Sequence, residues 1–343
     1  MFCILKDKQK ANSVSSPMSS SHKLSLFSGA TYSDPSTYNS VVRVLQYLSL
    51  TQPNISFAVN KVCQFMHKPT DKHWTTVKRI LRYLKFSIHF GLLIKPNKST
   101  QLSIYSDVGW AGCPDDRKST SGFCLYFGDN LISWSSKKQQ TVACLSTEVE
   151  YRAVAHATTE SLWVQSLPRE IDIVLAQFPI LWCENVGATN LTANAIFQAR
   201  TKHVEIDYHF VRENVQLTTL DVRFISSKDQ LADGVTKPIV SARFAFLKDK
   251  LNVYSSSLTL NGHTMEMHSA DHDTSASVIA DHDKSVSVIA TWSQELIICF
   301  PCIFHRLHSC NWFLNNLYSY QYKYTSSLAE QNTREFPAFS PLF

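Results

Sequence analysis

Apolar residues recur at steps of three and four in the first hundred positions and alternate with polar ones beyond them. Ile55, Ala58, Val59, Val62, Phe65 and Met66 fall on one helical face, and after a break at Pro69 the pattern resumes in Trp74, Val77, Leu81 and Leu84. Two amphipathic helices are predicted there, preceded by a shorter one through Val41, Leu45 and Leu48. From residue 100, strands are predicted at Leu102–Ser106, Gly122–Phe127 and Leu131–Ser135, a three-stranded meander broken at Pro114-Asp115-Asp116 and Gly128-Asp129-Asn130. A helix from about Ser146 to Ser166 follows, with Ser146 and Thr147 as cap candidates, then a buried strand at Pro179–Cys183. A helix near Asn185, another at Glu205–Val215 and a last strand at Asp221–Ile225 complete the order βββαβα…β. That order predicts an α/β fold in which helices flank a mixed sheet.

The ends have a different texture. Residues 11–37 are rich in Ser, Thr and Pro, so residues 1–37 are expected to form a linker-like segment before a helical segment at 38–96. The α/β domain is expected at 100–240, its terminal helix at 241–254, and a poorly ordered tail at 255–343. In that tail Ala-Asp-His-Asp-x-Ser-x-Ser-Val-Ile-Ala occurs twice, at 270–280 and 280–290, too few copies for a solenoid.

Charge sharpens the division. Residues 1–100 hold 14 Lys and Arg against three Asp, so with a net charge of +5 for the whole chain the remainder carries −6. A basic segment joined to an acidic one suits a protein that grips a polyanion with one part and binds cations with the other. Lys78, Arg82 and Lys85 form a basic stripe beside the apolar face of the third helix, a geometry suited to a phosphate backbone or to an ordinary solvated surface. Nine cysteines without a regular pattern suggest neither a disulfide framework nor a structural metal site, and point to a reducing, intracellular setting, cytoplasmic or nuclear. The first ten residues are too weakly apolar for a signal peptide, and the longest late apolar run, Leu296–Phe304, is too short to span a bilayer, so no membrane partner is expected.

The chemistry rests on acids placed at the ends of core elements. Asp107 closes the first apolar strand in Ile-Tyr-Ser-Asp, where a charge must be solvated, paired or coordinated. Helical spacing puts Glu150 on one face with Ala153, Val154 and Ala157, while Glu148 points nearly the opposite way. Glu184 follows the apolar strand Ile180–Cys183, either as a site residue or as a helix-capping acid, and Asp233 stands just after the last strand. Phosphodiester cleavage with two divalent ions about 3.5–4 Å apart needs carboxylates converging from different elements in this way.

Longer motifs carry a family likeness. Tyr105-Ser106-Asp107-x-x-Trp110-Ala111-Gly112, Arg117-Lys118-Ser119-Thr120-Ser121-Gly122, Ile132-Ser133-Trp134-Ser135-Ser136-Lys137-Lys138-Gln139 and Ser146-Thr147-Glu148-x-Glu150-Tyr151-Arg152-Ala153 resemble the ribonuclease H domain of copia-type LTR retrotransposons. Arg200–Glu213 and Lys228–Asp233 follow in matching order, and Ile55–Asn60 and His73–Leu84 resemble the end of reverse transcriptase in the same polyproteins. The resemblance implies a ribonuclease H-like fold with a five-stranded mixed sheet. It implies metal ligation and catalysis by Asp107, Glu150, Glu184 and Asp233, Mg²⁺ as cofactor with Mn²⁺ as a substitute, and an RNA–DNA hybrid and other polyprotein segments as partners. The 38–96 segment would then be a thumb-like or connection-like remnant. No Tyr-x-Asp-Asp motif precedes residue 100, so polymerisation by this chain alone is not expected.

The chain departs from that family at several positions. Glu184 and Asn54 stand where Asp is usual, Gly109 where a second acid is usual, and Arg43 where Gly is usual; Pro168 should kink or stop its helix. Two functions therefore compete: a metal-dependent hybrid nuclease, and a weakened or inactive remnant that only binds nucleic acid. An unrelated metal hydrolase of similar topology fits the ordered motifs poorly.

Overall fold

The structure, a computed structural model, describes residues 12–20, 24–96, 99–170, 175, 177–193, 204–255 and 288–290. Most of the tandem repeat, Leu296–Phe304 and Arg200-Thr201-Lys202-His203 lie outside the described residues. So do Cys299 and Cys302, which form a Cys-x-x-Cys pair and so correct the expectation that the cysteines follow no metal-ligand spacing. Among the described residues, Cys63, Cys113, Cys124, Cys144 and Cys183 are free thiols, and no helix is long and apolar enough to cross a membrane.

Among the described residues, the leading segment holds three α-helices: α1 (Pro35–Leu48), α2 (Ser56–Cys63) and α3 (Asp71–Phe86). Asp34 caps α1 by accepting the Thr37 amide, with Pro35 in the first turn, where its missing N–H is not needed. The middle helix, not the first, is the short one, because a 3-10 turn at Pro53–Ile55 takes up the start of its apolar pattern. Tyr38, Leu45, Ile55, Val62, Val77, Ile80 and Tyr83 are fully buried together. Asn54 is buried as well and donates from Nδ2 to Tyr83 Oη at 2.5 Å, so the amide found in place of the usual acid is satisfied on that side.

The stretch before α1 is more than a linker. His73 accepts from the Thr70 amide on Nδ1 (3.0 Å) and reaches the Ser25 carbonyl with Nε2 (3.1 Å), while Tyr32 stacks on Trp74. Ser25 Oγ and the Leu26 amide both donate to Asp115, which fastens this stretch to the loop beyond the first long strand.

A five-stranded sheet follows, built from β2 (Leu102–Gly109), β3 (Thr120–Phe127), β4 (Asn130–Lys138), β5 (Ile180–Cys183) and β6 (Asp221–Phe224), in the order β4-β3-β2-β5-β6. The β2–β3 and β3–β4 pairs are antiparallel and the β2–β5 and β5–β6 pairs parallel, so the mixed sheet of a ribonuclease H-like fold is present. The meander strands are longer than the alternation predicted. β2 runs three residues past Ser106 because Asp107, Val108 and Gly109 pair with Gly122, Ser121 and Thr120.

α4 (Ser146–Glu170) packs on β2 and β3 and continues through Pro168 rather than ending before it. Pro168 removes its own N–H bond to the carbonyl one turn upstream, and the helix is described without a break as far as Glu170. α5 (Val186–Ala193), capped by Asn185 through the Ala188 amide, and α6 (Glu205–Gln216) pack beside it.

The last described part returns to the beginning of the chain. A short α7 (Asp233–Thr236) lies on β2 and β3, and α8 (Ser241–Lys250) sets the Phe244 ring edge-on to Tyr83 of α3, with centroids 5.6 Å apart. The expected terminal helix ends at Lys250, and β7 (Val253–Ser255) pairs antiparallel with β1 (Phe90–Ile94), a second sheet that the alternation did not predict. The same strand β1 also pairs with residues 288–290. The helical segment is tied to the large sheet by Trp134 Nε1 donating to the Ser49 carbonyl (3.0 Å) and Asn60 Nδ2 to the Ser136 carbonyl (2.5 Å). Phe244 is therefore a shared core residue. Phe244→Ala is expected to remove about 3 kcal/mol of stability in urea unfolding, within a single transition followed by circular dichroism; a loss under about 1 kcal/mol would mean that α8 docks loosely.

Candidate metal and catalytic site

Backbone topology brings the acids together. Asp107 lies in β2 on the face it shares with Tyr105 and Gly109, while its neighbour Val108 packs against Val149 and Ala153 of α4. Glu184 leaves the carboxyl end of β5, which pairs with β2 as far as Ser106–Cys183. Asp233 opens α7. One carboxylate oxygen from each of Asp107, Glu184 and Asp233 can be chosen so that all three lie within 4.8 Å of one another. Glu150, from the first turns of α4, stands outside that trio but close enough for its ionisation to be opposed by Asp107 and then Glu184. Glu148 instead pairs with Arg152 at 2.6 Å, one helical turn along.

Two of these acids are deeply buried: Asp107 is 0% exposed and Glu150 6%. Burial pushes the Asp107 carboxyl up to about 6, against the pull of Lys237 and a hydrogen bond from Thr236. Burial and then the charge of Asp107 push Glu150 up to about 9. Oε2 of Glu150 and of Glu184 is buried without a hydrogen-bond donor. A cluster of hard oxygen donors with unsatisfied buried lone pairs fits a divalent cation.

The sequence reading missed the cation that the chain itself supplies. Lys237 Nζ lies 3.0 Å from Asp107 Oδ1, 3.1 Å from Glu184 Oε1 and 2.9 Å from Asp233 Oδ1. Burial opposes its charge, but Asp107 and Asp233 outweigh that and hold the ammonium well above its usual range. Arg243 adds a longer contact of 3.7 Å to Asp233. The neighbouring Thr236 hydroxyl donates to Asp107 Oδ2. The i,i+4 spacing of Asp233 and Lys237 was the available signal, once residues 233–236 are read as a helical turn.

Gly109 now has a physical reason. A Cβ there would stand 2.6 Å from the Thr236 carbonyl oxygen, so an acid at 109 would displace the turn that carries Thr236 and Lys237. Gly122, opposite Asp107 on β3, is similarly tight against Val235 and Thr236. Beside Lys237 opens a cavity of about 300 Å³ lined by Phe57, Lys61, Trp110 and Cys113, between the helical segment and the sheet.

The basic stripe lies on α3, which contributes no side chain to this cluster. Arg82 Nε donates to the Asn12 carbonyl at 2.7 Å, Lys78 Nζ lies 5.9 Å from the Trp74 ring, and Lys85 is exposed. Part of the stripe therefore holds the leading stretch of the chain.

No family model matches the chain. It is 48% and 46% identical, over 243 residues, to the retrovirus-related Pol polyproteins from transposons RE1 and RE2 of Arabidopsis thaliana. That alignment covers 71% of this chain and only 17% of either relative, so the chain spans a small part of their length. Among solved structures, it is similar to the N-terminal RNase H domain of a Mycobacterium tuberculosis protein fused to maltose binding protein. The identity is 10%, with 44% of this chain and 98% of that one covered, at a TM-score of 0.32.

The raised proton affinity of Glu150 gives a signed pH dependence. A carboxyl whose folded pKa lies above its unfolded one contributes stability that is complete below about pH 4.5 and is lost as the pH rises through about 9. In EDTA, Glu150→Gln should therefore gain on the wild type steadily between pH 5 and pH 9, by at least about 2 kcal/mol at the alkaline end. Thermal unfolding of both proteins across that range checks it; a difference that does not vary with pH would contradict the assignment.

Proposed function

Because the chain belongs to the retrovirus-related Pol polyproteins of transposons and carries a ribonuclease H-like sheet, we propose that it is a copia-type ribonuclease H: it hydrolyses the RNA strand of an RNA–DNA hybrid. The convergence of Asp107, Glu184 and Asp233, with Glu150 beside them, carries this reading. Residues 100–240 would form the nuclease domain, with 38–96 as a reverse transcriptase thumb-like or connection-like remnant and 241–254 as a closing element.

Asp107, Glu150, Glu184 and Asp233 would hold Mg²⁺, for which Mn²⁺ would substitute. When bound, the divalent ions supply an activated water and neutralise charge on the phosphoryl and leaving oxygens. The chain's own residues supply the rest. Strand β2, paired on both sides, fixes Asp107, and the Thr236 hydroxyl holds Oδ2 of that carboxylate in one orientation. Burial of Asp107 and Glu150 raises the energy of their unneutralised charges, which is what makes such a site demand cations. The products would be a 3′-hydroxyl and a 5′-phosphate, and selection for RNA would come through the 2′-hydroxyl and groove shape rather than base sequence.

A second reading, a remnant that binds hybrid without efficient cleavage, is favoured by Glu184. Its extra methylene, relative to the usual Asp, moves the carboxylate by about a bond length, enough to matter where Mg²⁺ requires ligands at about 2.0–2.1 Å.

Cleavage of a labelled RNA–DNA hybrid by the full chain, in Mg²⁺ and in Mn²⁺, separates the two. Asp107→Asn is expected to lower the rate by more than about a hundredfold, and Glu184→Asp to raise it by about tenfold or more. Equal rates for wild type and Glu184→Asp would remove the geometric argument. Salt-sensitive binding without cleavage in any variant would favour the remnant.

A further inference from the structure

Lys237 is the feature that the proposed chemistry leaves unused. Its ammonium is within 3.1 Å of three separate carboxylates, from β2, from the end of β5 and from α7. One oxygen from each of these carboxylates can be chosen so that the three lie within 4.8 Å of one another, so a cation touching all three acids occupies the space between them. That space is too small for an ammonium group and a divalent ion together, since each needs contact distances of about 2–3 Å to oxygens of the same three carboxylates.

We infer that Lys237 is a built-in competitor for the divalent ion, a positioning residue that holds the three carboxylates together and must withdraw before a metal can enter. The inference rests on the reading of this cluster as a metal site and adds a threshold to it. Three observations make Lys237 suited to the role. It is carried on the same turn as Asp233, so the lysine and one of its partners are placed by one element. That turn is seated by Thr236 donating to Asp107 and by the bare Cα of Gly109, which leaves room for the Thr236 carbonyl. The lysine side chain is one-third exposed, so it has a path outward, whereas Asp107 has none. Withdrawal would move the ammonium toward the open cavity it already lines, without unfolding β2 or β5.

The ammonium and the metal then exchange for one set of oxygens. No bond is made or broken beyond ion pairs and coordination, and the displaced charge passes to solvent or to an incoming phosphate. The apparent metal affinity is the intrinsic affinity reduced by the work of displacing Lys237, so removing its charge should tighten binding.

Mn²⁺ binding to the full chain, measured by isothermal titration calorimetry at pH 8 without substrate, tests this. Lys237→Met and Lys237→Gln are expected to bind Mn²⁺ at least about tenfold more tightly than the wild type, and Lys237→Arg, which keeps the charge, within about threefold of it. In EDTA the two neutral variants should also melt below the wild type, and Mn²⁺ should restore more of their melting temperature than it adds to the wild type's. If folded Met and Gln variants bind Mn²⁺ no more tightly than the wild type, the competition does not exist, while the metal-site reading stands. Failure of the wild type and all three variants to bind Mn²⁺ at millimolar concentration would overturn the metal-site reading and the inference together.

Discussion

Repulsion among buried carboxylates is the constraint on which the rest of the site depends. Asp107 is wholly enclosed and Glu150 nearly so; the charge of Asp107 raises the proton affinity of Glu150, and the charges of Asp233 and Glu184 raise that of Asp107. Such a cluster is tolerated only when positive charge is close, because an unpaired ion in a low-dielectric interior is among the most destabilising features a fold can carry. The chain meets the requirement from within, through one lysine that touches three acids. The divalent ions of the proposed reaction would meet the same requirement more completely, since they carry twice the charge in less space.

The surrounding fold is arranged to bring these groups to one place. β2 is the central strand, paired parallel with β5 as far as Ser106 and antiparallel with β3 through Gly109, so Asp107 is placed by its pairing with Gly122 at the point where the β5 ladder ends. The 233–237 turn closes over the end of that strand at the point where glycines 109 and 122 leave no side chains in the way. The helical segment and α8 pack behind this turn through Phe244, which belongs to the same core as Tyr83 and Leu45. Residues far apart in sequence thus share one packed body, and the leading stretch is fastened to it through Ser25 and Asp115.

Much of this was legible in the sequence, for local reasons. Alternation over Leu102–Ser106 reported a strand because every second side chain there is fully buried, Gly122–Phe127 reported one as a short continuous buried run, and the 3.6-residue period of Val77, Leu81 and Leu84 reported α3 because one face of it is buried. Glu150 could be separated from Glu148 because helical geometry alone decides which face an acid shares with Ala153 and Ala157. What stayed hidden was non-local. β1 and β7 are short strands more than 150 positions apart, and three- to five-residue runs carry too little periodicity to announce a pairing of that separation. The docking of residues 12–20 and 24–34 depends on scattered single contacts, among them those from His73, Trp74, Arg82 and Asp115, none of which leaves a pattern in the segment they hold.

Gly109 and Lys237 show how a departure read position by position changes meaning when its neighbour is known. Taken along the chain, a glycine where an acid is usual removes one negative charge from the first motif. In space, that glycine lies under the Thr236 carbonyl, and an acidic side chain there would meet backbone that has no rotamer with which to move aside. The loss of one carboxylate and the close seating of a turn that delivers an ammonium are thus one change in charge balance: one negative group fewer, with a positive one held tightly among those that remain. Glu184 fits the same balance, because its longer arm places Oε1 at 3.1 Å from the ammonium while Oε2 is left without a donor. The site is organised around Lys237, and on the proposed reading the ease with which that lysine is displaced bears on whether the chain cleaves a hybrid or only binds it.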